Sequence, residues 1–256
     1  MLKAENTPNN TGVIISGTFD DLNSLYDALS LLASPFSDEN AESSLYDTAM
    51  HVMGICYDIR HAYMGDRELK LVDNNISTEA MKYHGIICPS QNVEYGYQTI
   101  WLEALFVMAA LNVFIDHRAR IMVKTRYLYR LSDHHQVMFD KAIAVARNFQ
   151  AVIMEALHDL VGDNVYARTA KMIAAAPEYV FDHFCSEYLS MLTVKYLRFD
   201  PEKKKKNLGV FIKRVLEQGQ EYMEIRESIT AYAKENGCDV RDVRLKDTEF
   251  PEKIEW

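Results

Sequence analysis

The chain is short of the residues that staple or interrupt a fold. Its four cysteines, Cys56, Cys88, Cys185 and Cys238, lie far apart with no CxxC pair, a spacing that supports neither a zinc site nor a disulfide framework. Reduced and mostly buried thiols are the expectation, and with them a cytoplasmic setting. Glycine and proline are sparse, 10 and 6 in 256 residues. No Gly/Ser/Pro linker divides the chain, so residues 1–256 are expected to form one compact unit. Cationic charge is in deficit too: 28 Lys and Arg against 37 Asp and Glu give a net charge of −9. That is the wrong sign for a general nucleic-acid binder. The one basic run, Lys203–Lys206 behind Asp200-Pro201, reads as the solvated first turn of a capped helix. The most apolar segment, Ile100–Ile115, is short for a membrane span and contains Glu103 and Asn112, so a buried helix is expected. The opening MLKAENTPNN has no apolar stretch of the signal-peptide kind. No P-loop, GxGxxG, GxSxG or HExxH occurs, and the sequence therefore names no cofactor, metal or substrate.

What is present suits a helical core. Hydrophobic residues make up 48% of the chain and charged residues 25%, proportions that favour a globular fold over disorder. Fifteen Tyr and twelve Met suit half-buried positions and irregular helical packing respectively. Leu2–Ala4 and Val13–Ile15 flank NTPNNTG and predict two short strands around a turn. Asp20 or Asp21 caps a helix carrying Leu22, Leu25, Leu29 and Leu32, which Pro35 ends, and a polar loop runs to about Ser44. A second helix follows from Leu45 to Met64, then RELKLV as a strand, ISTEAMKYHG as a short helix and Val93–Tyr97 as extended chain. The apolar helix continues to about His117. After Asp133 a long amphipathic helix is predicted to Val161, with Met138, Ala142, Val145, Phe149, Val152, Ala156 and Leu160 as its stripe. Helices near 164–175 and 178–199 come next, and a single helix of about 202–236 with a heptad from Leu208 through Gln218 to Tyr232. The expected class is mainly α (α+β): a small N-terminal antiparallel strand element merged into a multi-helix bundle. Residues 1–97 would form an α/β lobe, 98–240 the bundle and 241–256 an irregular tail.

The second helix carries the most unusual chemistry. On a wheel of 100° per residue, Leu45, Ala49, Val52, Met53, Cys56 and Tyr63 share one side, and Asp47, His51, Gly54, Asp58 and His61 the other. Asp47–His51 and Asp58–His61 are spaced to touch. His and carboxylate are the groups that bind metals and move protons near neutrality; the plainer reading is capping and ion pairing with neighbouring loops. Arg60 falls within the apolar stripe and Glu103 within the most apolar helix, so a buried charge pair is expected for each. Two further patterns are weaker. Glu155–His158 with Asp58–His61 is reminiscent of carboxylate di-iron bundles, but His158 lies opposite the apolar stripe and no second ExxH occurs. His158-Asp159, with His134 and His135 upstream, resembles the His-Asp dipeptide of metal phosphohydrolases, without the helix break those have.

TGVIISGTFDDLNSLYDAL, GICYDIRHAYMGDRELKLVDN and the closing FPEKIEW resemble a bacterial protein family of unknown function over the whole chain. The resemblance implies a cytoplasmic bacterial protein. It directs attention to Asp58, Arg60, His61, Asp66 and Arg67, which join Asp47 and His51 as candidate ligand-binding residues. The functional expectation is a non-enzymatic binding or interaction protein, with a protein partner or a second copy of itself. The alternatives are a metal-dependent or hydrolytic enzyme on the Asp/His face, and a nucleic-acid-associated regulator using the Lys203 region.

Overall fold

The computed structural model describes residues 1–38, 43–123, 139–246 and 248–256. Four strands form an antiparallel sheet: β1 Lys3–Asn6, β2 Gly12–Gly17, β3 Glu68–Asp73 and β4 Gln91–Ile100, in the order β1-β2-β4-β3. Nine α-helices accompany it among the described residues: α1 Phe19–Ala33, α2 Tyr46–Tyr63, α3 Thr78–His84, α4 Trp101–Met122, α5 Lys141–Val161, α6 Asp163–Ala175, α7 His183–Leu197, α8 Pro201–Glu217 and α9 Gln220–Asn236. The class is mainly α (α+β), as the sequence predicts. Among the described residues, no helix is long and apolar enough to cross a membrane.

The NTPNNTG turn closes β1 on β2, with the Thr7 amide donating to the Gly12 carbonyl at 3.0 Å and Asn10 at φ 55°. Gly12 is required by crowding: a Cβ there would lie 2.0 Å from the Thr99 carbonyl oxygen across the sheet. Pairing places Ile15 beside Ala4 and Tyr97, and Tyr95 beside Leu69. Residues directly opposite share a face, so one apolar face crosses all four strands. Its β2 end is sealed, with Val13, Ile15 and Tyr97 buried.

The helices start and stop where local chemistry directs. Thr18 and Asp21 form a reciprocal capping box on α1. Ser77, Asp140, Asp182 and Asp200 each accept from an amide in the first turn of α3, α5, α7 and α8. Gly85 and Gly237 end α3 and α9 in the left-handed region, at φ 63° each. α4 runs through the core, with Trp101, Leu105, Phe106 and Phe114 among its buried side chains.

Several boundaries differ from the sequence reading. The helix expected over 178–199 starts only at His183 behind the Asp182 cap, after a 3-10 turn at Glu178–Val180. β4 continues to Ile100, past the expected lobe boundary at 97. α4 runs on to Met122. The expected helix of 202–236 is two helices, because Gln218 turns into the left-handed region at φ 49° and Gly219 follows. The break is held by the Gln218 side-chain Nε2 donating to the Val180 carbonyl at 2.9 Å and by the Tyr222 hydroxyl donating to Asp182 at 3.0 Å. α5 begins at Lys141 behind the Asp140 cap. The expected earlier start at Asp133, together with Met138, His134 and His135, lies outside the described residues.

Candidate functional site

α2 buries Ala49, Val52, Ile55, Cys56, Ile59 and Ala62 against the core, and Asp47, His51, Asp58 and His61 run half-buried along the flank of that face. Those four do not converge. Asp47 and Asp58 are eleven residues apart, about 16 Å along a helix at 1.5 Å per residue, and the two ends of the row have different partners.

At the N-terminal end, His51 Nδ1 meets Glu103 Oε1 of α4 at 2.7 Å, and Asp47 Oδ2 meets His183 Nδ1 of α7 at 3.0 Å. Glu187, also on α7, accepts from the Leu245 amide at 3.0 Å and lies 3.5 Å from the Arg244 guanidinium, so the C-terminal segment closes over this cluster. Burial opposes the charged form of His51, but the Glu103 carboxylate, with Asp47 and Glu187 behind it, outweighs burial and holds the imidazole above its ordinary value. For Asp47 burial likewise opposes charge. The hydrogen bond and charge of His183, aided by Arg244 and His51, win and keep the carboxyl below its ordinary value. These groups pair with one another, except that His183 Nε2 is buried without a hydrogen-bond partner among the described residues. Among the described residues no group of three or more His, Cys, Asp or Glu is placed to hold a metal ion.

At the C-terminal end, Arg67 donates to Asp58 at 2.7 Å and His61 Nδ1 meets Asp66 at 3.0 Å. These bonds clamp the turn at Gly65, whose φ of 89° suits glycine. Arg60 is exposed rather than lodged in the apolar stripe, against the expectation from the helical wheel, and its guanidinium lies over the Tyr57 ring at 5.5 Å. The carboxylate partner of Arg60 was expected to be buried with it; Glu103 has taken His51 instead. Gly54, on the same side of the wheel as Asp47 and His51, faces open space. Between the two ends lies a cleft of about 420 Å³ bordered by Asp58, Arg67, Tyr97, Glu103, Ile254 and Trp256.

The clamped turn delivers β3 to the edge of the sheet, and here the structure exposes what the sequence did not announce. Leu69 and Leu71 lie opposite Tyr95 and Val93, on the apolar face that is buried at β2. At this end none of the described residues covers it: Leu69 is 57% and Leu71 64% exposed, and Val93 is exposed beside them. The following segment adds Ile76, Tyr83, Ile86 and a fully exposed Ile87. The outer edge of β3 pairs with no strand among the described residues, leaving backbone donors and acceptors free. The other edge strand, β1, is covered: Asn6 donates to the Ala156 carbonyl of α5 at 2.8 Å. Alternation in RELKLV signalled a strand, but alternation ordinarily means that one side is covered.

No curated protein and no solved structure matches the chain. Residues 2–256 match one family, described as a domain of unknown function, DUF6904, and the chain belongs to that family.

Proposed function

We propose that this is a cytoplasmic, non-enzymatic binding and interaction protein of bacterial type that folds as one unit and works as a homo-oligomer, with the β3 edge as its contact surface. The observation that carries this is the apolar sheet face left open at Leu69, Leu71 and Val93 beside an unpaired strand edge. Full burial of such side chains stabilises by about 1.5–3 kcal/mol each, and an open edge of this kind is a template for strand addition. A second copy fits the pattern. In an antiparallel pairing about a two-fold axis through Leu69, Glu68 of one copy faces Lys70 of the other, and the leucines stay on one face. Asp58–Arg67 and His61–Asp66 then act as positioning contacts for that strand. The pairing of Asp47 and His51 with His183 and Glu103 supports a structural use of the inner face over catalysis. In the basic run, Lys204 is buried and Lys203 lies 3.2 Å from Asp200, which disfavours a nucleic-acid surface there.

The test is the native mass by light scattering across a concentration series. Wild type is expected to be oligomeric, and Leu69→Lys/Leu71→Lys monomeric with unchanged circular dichroism. A wild-type chain that stays monomeric throughout rejects the reading.

A further inference from the structure

A second surface has a composition opposite to that of the chain as a whole. α6 and α8 approach so closely that a Cβ on Gly209 would lie 2.9 Å from Val165 Cγ1. Beside this contact they leave a groove of about 690 Å³, within the range of roughly 300–1,000 Å³ usual for small-molecule sites. Val165, Met172, Val210 and Leu216 give it an apolar lining, and Arg168, Lys171, Lys206 and Lys213 surround them. Among the described residues Glu217 is the one carboxylate on the lining, 3.6 Å from Lys213. Among the described residues no ion pair reaches Arg168, Lys171 or Lys206. In a chain of net charge −9, four cations around one groove make a local field that selects anions. Thr169 also lines the groove. It is 1% exposed, and its hydroxyl has no hydrogen-bond partner, although buried hydroxyls are ordinarily paired.

We propose that the groove between α6 and α8 is a binding site for a small single-tailed amphiphile with an anionic head. The apolar tail lies along Val165, Met172, Val210 and Leu216. The head sits among Lys171, Lys206 and Arg168. An apolar body is needed because the lining would otherwise stay wet. A negative head is favoured because four cations against one carboxylate leave the rim with an excess of positive charge. A nucleic-acid strand fits less well, since its phosphates ask for an open polar track with stacking aromatics, and the groove has no aromatic residue on its lining.

The experiment is titration calorimetry of the full chain with decanoate and decyl phosphate, using decanol, decyltrimethylammonium and inorganic phosphate as probes of each half of the ligand. Decanoate, decyl phosphate or both are expected to bind at least about tenfold more tightly than any of the three controls; which of the two is tighter identifies the head. Lys171→Glu/Lys206→Glu alters exposed side chains only and is expected to weaken anion binding by about tenfold or more, with decanol unchanged. Val210→Ser is expected to weaken both anions by a few-fold, about one lost apolar contact. The β3 variant Leu69→Lys/Leu71→Lys is expected to bind like wild type, so failure of self-association leaves this site untouched. Equal binding of decanol and decanoate would overturn the proposal, as would charge reversal without effect. Sedimentation with phosphatidylglycerol vesicles, or binding of a single-stranded oligonucleotide, in place of the free amphiphiles would also overturn it, in favour of a membrane or nucleic-acid surface.

Discussion

His51 on α2 and Glu103 on α4 are hydrogen-bonded at 2.7 Å, with their side chains 21% and 27% exposed. This contact, and not a pairing with Arg60, accounts for the carboxylate in the most apolar helix. Because the folded state raises the His51 pKa, the stabilisation is fully present below the unfolded value near 6.5 and is lost as pH rises through the higher folded value. His51→Gln is therefore expected to lower stability by about 1–2 kcal/mol at pH 6, with the gap to wild type shrinking toward pH 9. Urea midpoints measured at both pH values check it, and a gap that grows with pH contradicts the pairing.

Asp140 answers to pH in the opposite sense. It caps α5 by accepting from the Ile143 amide at 2.9 Å and accepts two bonds from Arg118, at 3.0 and 2.5 Å. The Arg118 bond is the main reason its carboxyl sits below the ordinary value, and the folded state must give up that stabilisation as pH falls through the depressed pKa. Asp140→Ala is expected to cost about 1–3 kcal/mol near neutrality, through lost cap and broken pair together. Asp140→Asn keeps a good cap and loses only the charge, so it should cost less. Thermal melts of both variants at pH 7, with an acid titration of each, give the comparison. Equal losses would mean that the cap contributes nothing beyond the pairing with Arg118, and an unchanged Asp140→Asn would mean that Arg118 contributes nothing.

The four cysteines sort by position. Cys56 is 1% exposed and Cys185 fully buried, whereas Cys238 is exposed and Cys88 half-buried. Burial pushes the Cys56 thiol up to about 12, and Cys185 is raised as well, by burial and then by Asp182. Thiolates react and thiols do not, so a maleimide added to the native protein at neutral pH is expected to modify Cys238 and Cys88 only. All four should label in denaturant. Mass spectrometry of the digested product reads the sites, and early native labelling of Cys56 or Cys185 would show that the core opens there.

Periodicity made most of the fold legible. The stripe predicted for α5 is buried at Ala142, Phe149, Ala156 and Leu160, because one packed face needs nothing beyond local spacing. The division of α8 from α9 was not legible for the same reason: Phe211, Val215, Tyr222, Ile225 and Ile229 keep helical spacing across it. The turn at Gln218 is held by Val180 and Asp182, contacts made 38 and 40 residues away in sequence. The α2 face was legible as residue types and not as partners, since His183 lies 136 residues from Asp47. Arg60 was misplaced because a wheel cannot tell an edge of the stripe from its centre, and a long side chain at the edge turns outward. Exposure of Leu69 and Leu71 depends on what fails to pack over the sheet. No local pattern encodes that.

The C-terminal segment, which the sequence presents as an irregular tail, is tied to the core through one buried lysine. Lys204 is 4% exposed, and its Nζ donates to the Thr11 hydroxyl at 2.7 Å. Thr11 in turn donates to the Glu255 carbonyl at 2.6 Å. Trp256 packs against the core, where a Cβ on Gly12 would lie 3.0 Å from its ring. One buried ammonium therefore ties the first hairpin, the start of α8 and the end of the chain together. Burial lowers the Lys204 pKa, and the charges of Glu255 and Asp200 oppose that shift only in part, so the ammonium is held against a desolvation cost. Lys204→Met keeps the aliphatic stem while removing the donor, which leaves the Thr11 hydroxyl able to serve Glu255 alone. A loss of about 1–3 kcal/mol is expected from the broken charged hydrogen bond, concentrated at the tail because local opening begins where few contacts hold. Limited proteolysis should then remove the segment after Val243 sooner than in wild type, and Trp256 fluorescence should shift toward that of an exposed indole. Lys204→Arg retains a donor but cannot place it identically, and is expected to fall between the two. If Lys204→Met is no less stable and its tail no more cleavable than wild type, the tail is held by Ile254 and Trp256 packing alone, and Lys204 costs as much to bury as its bond returns.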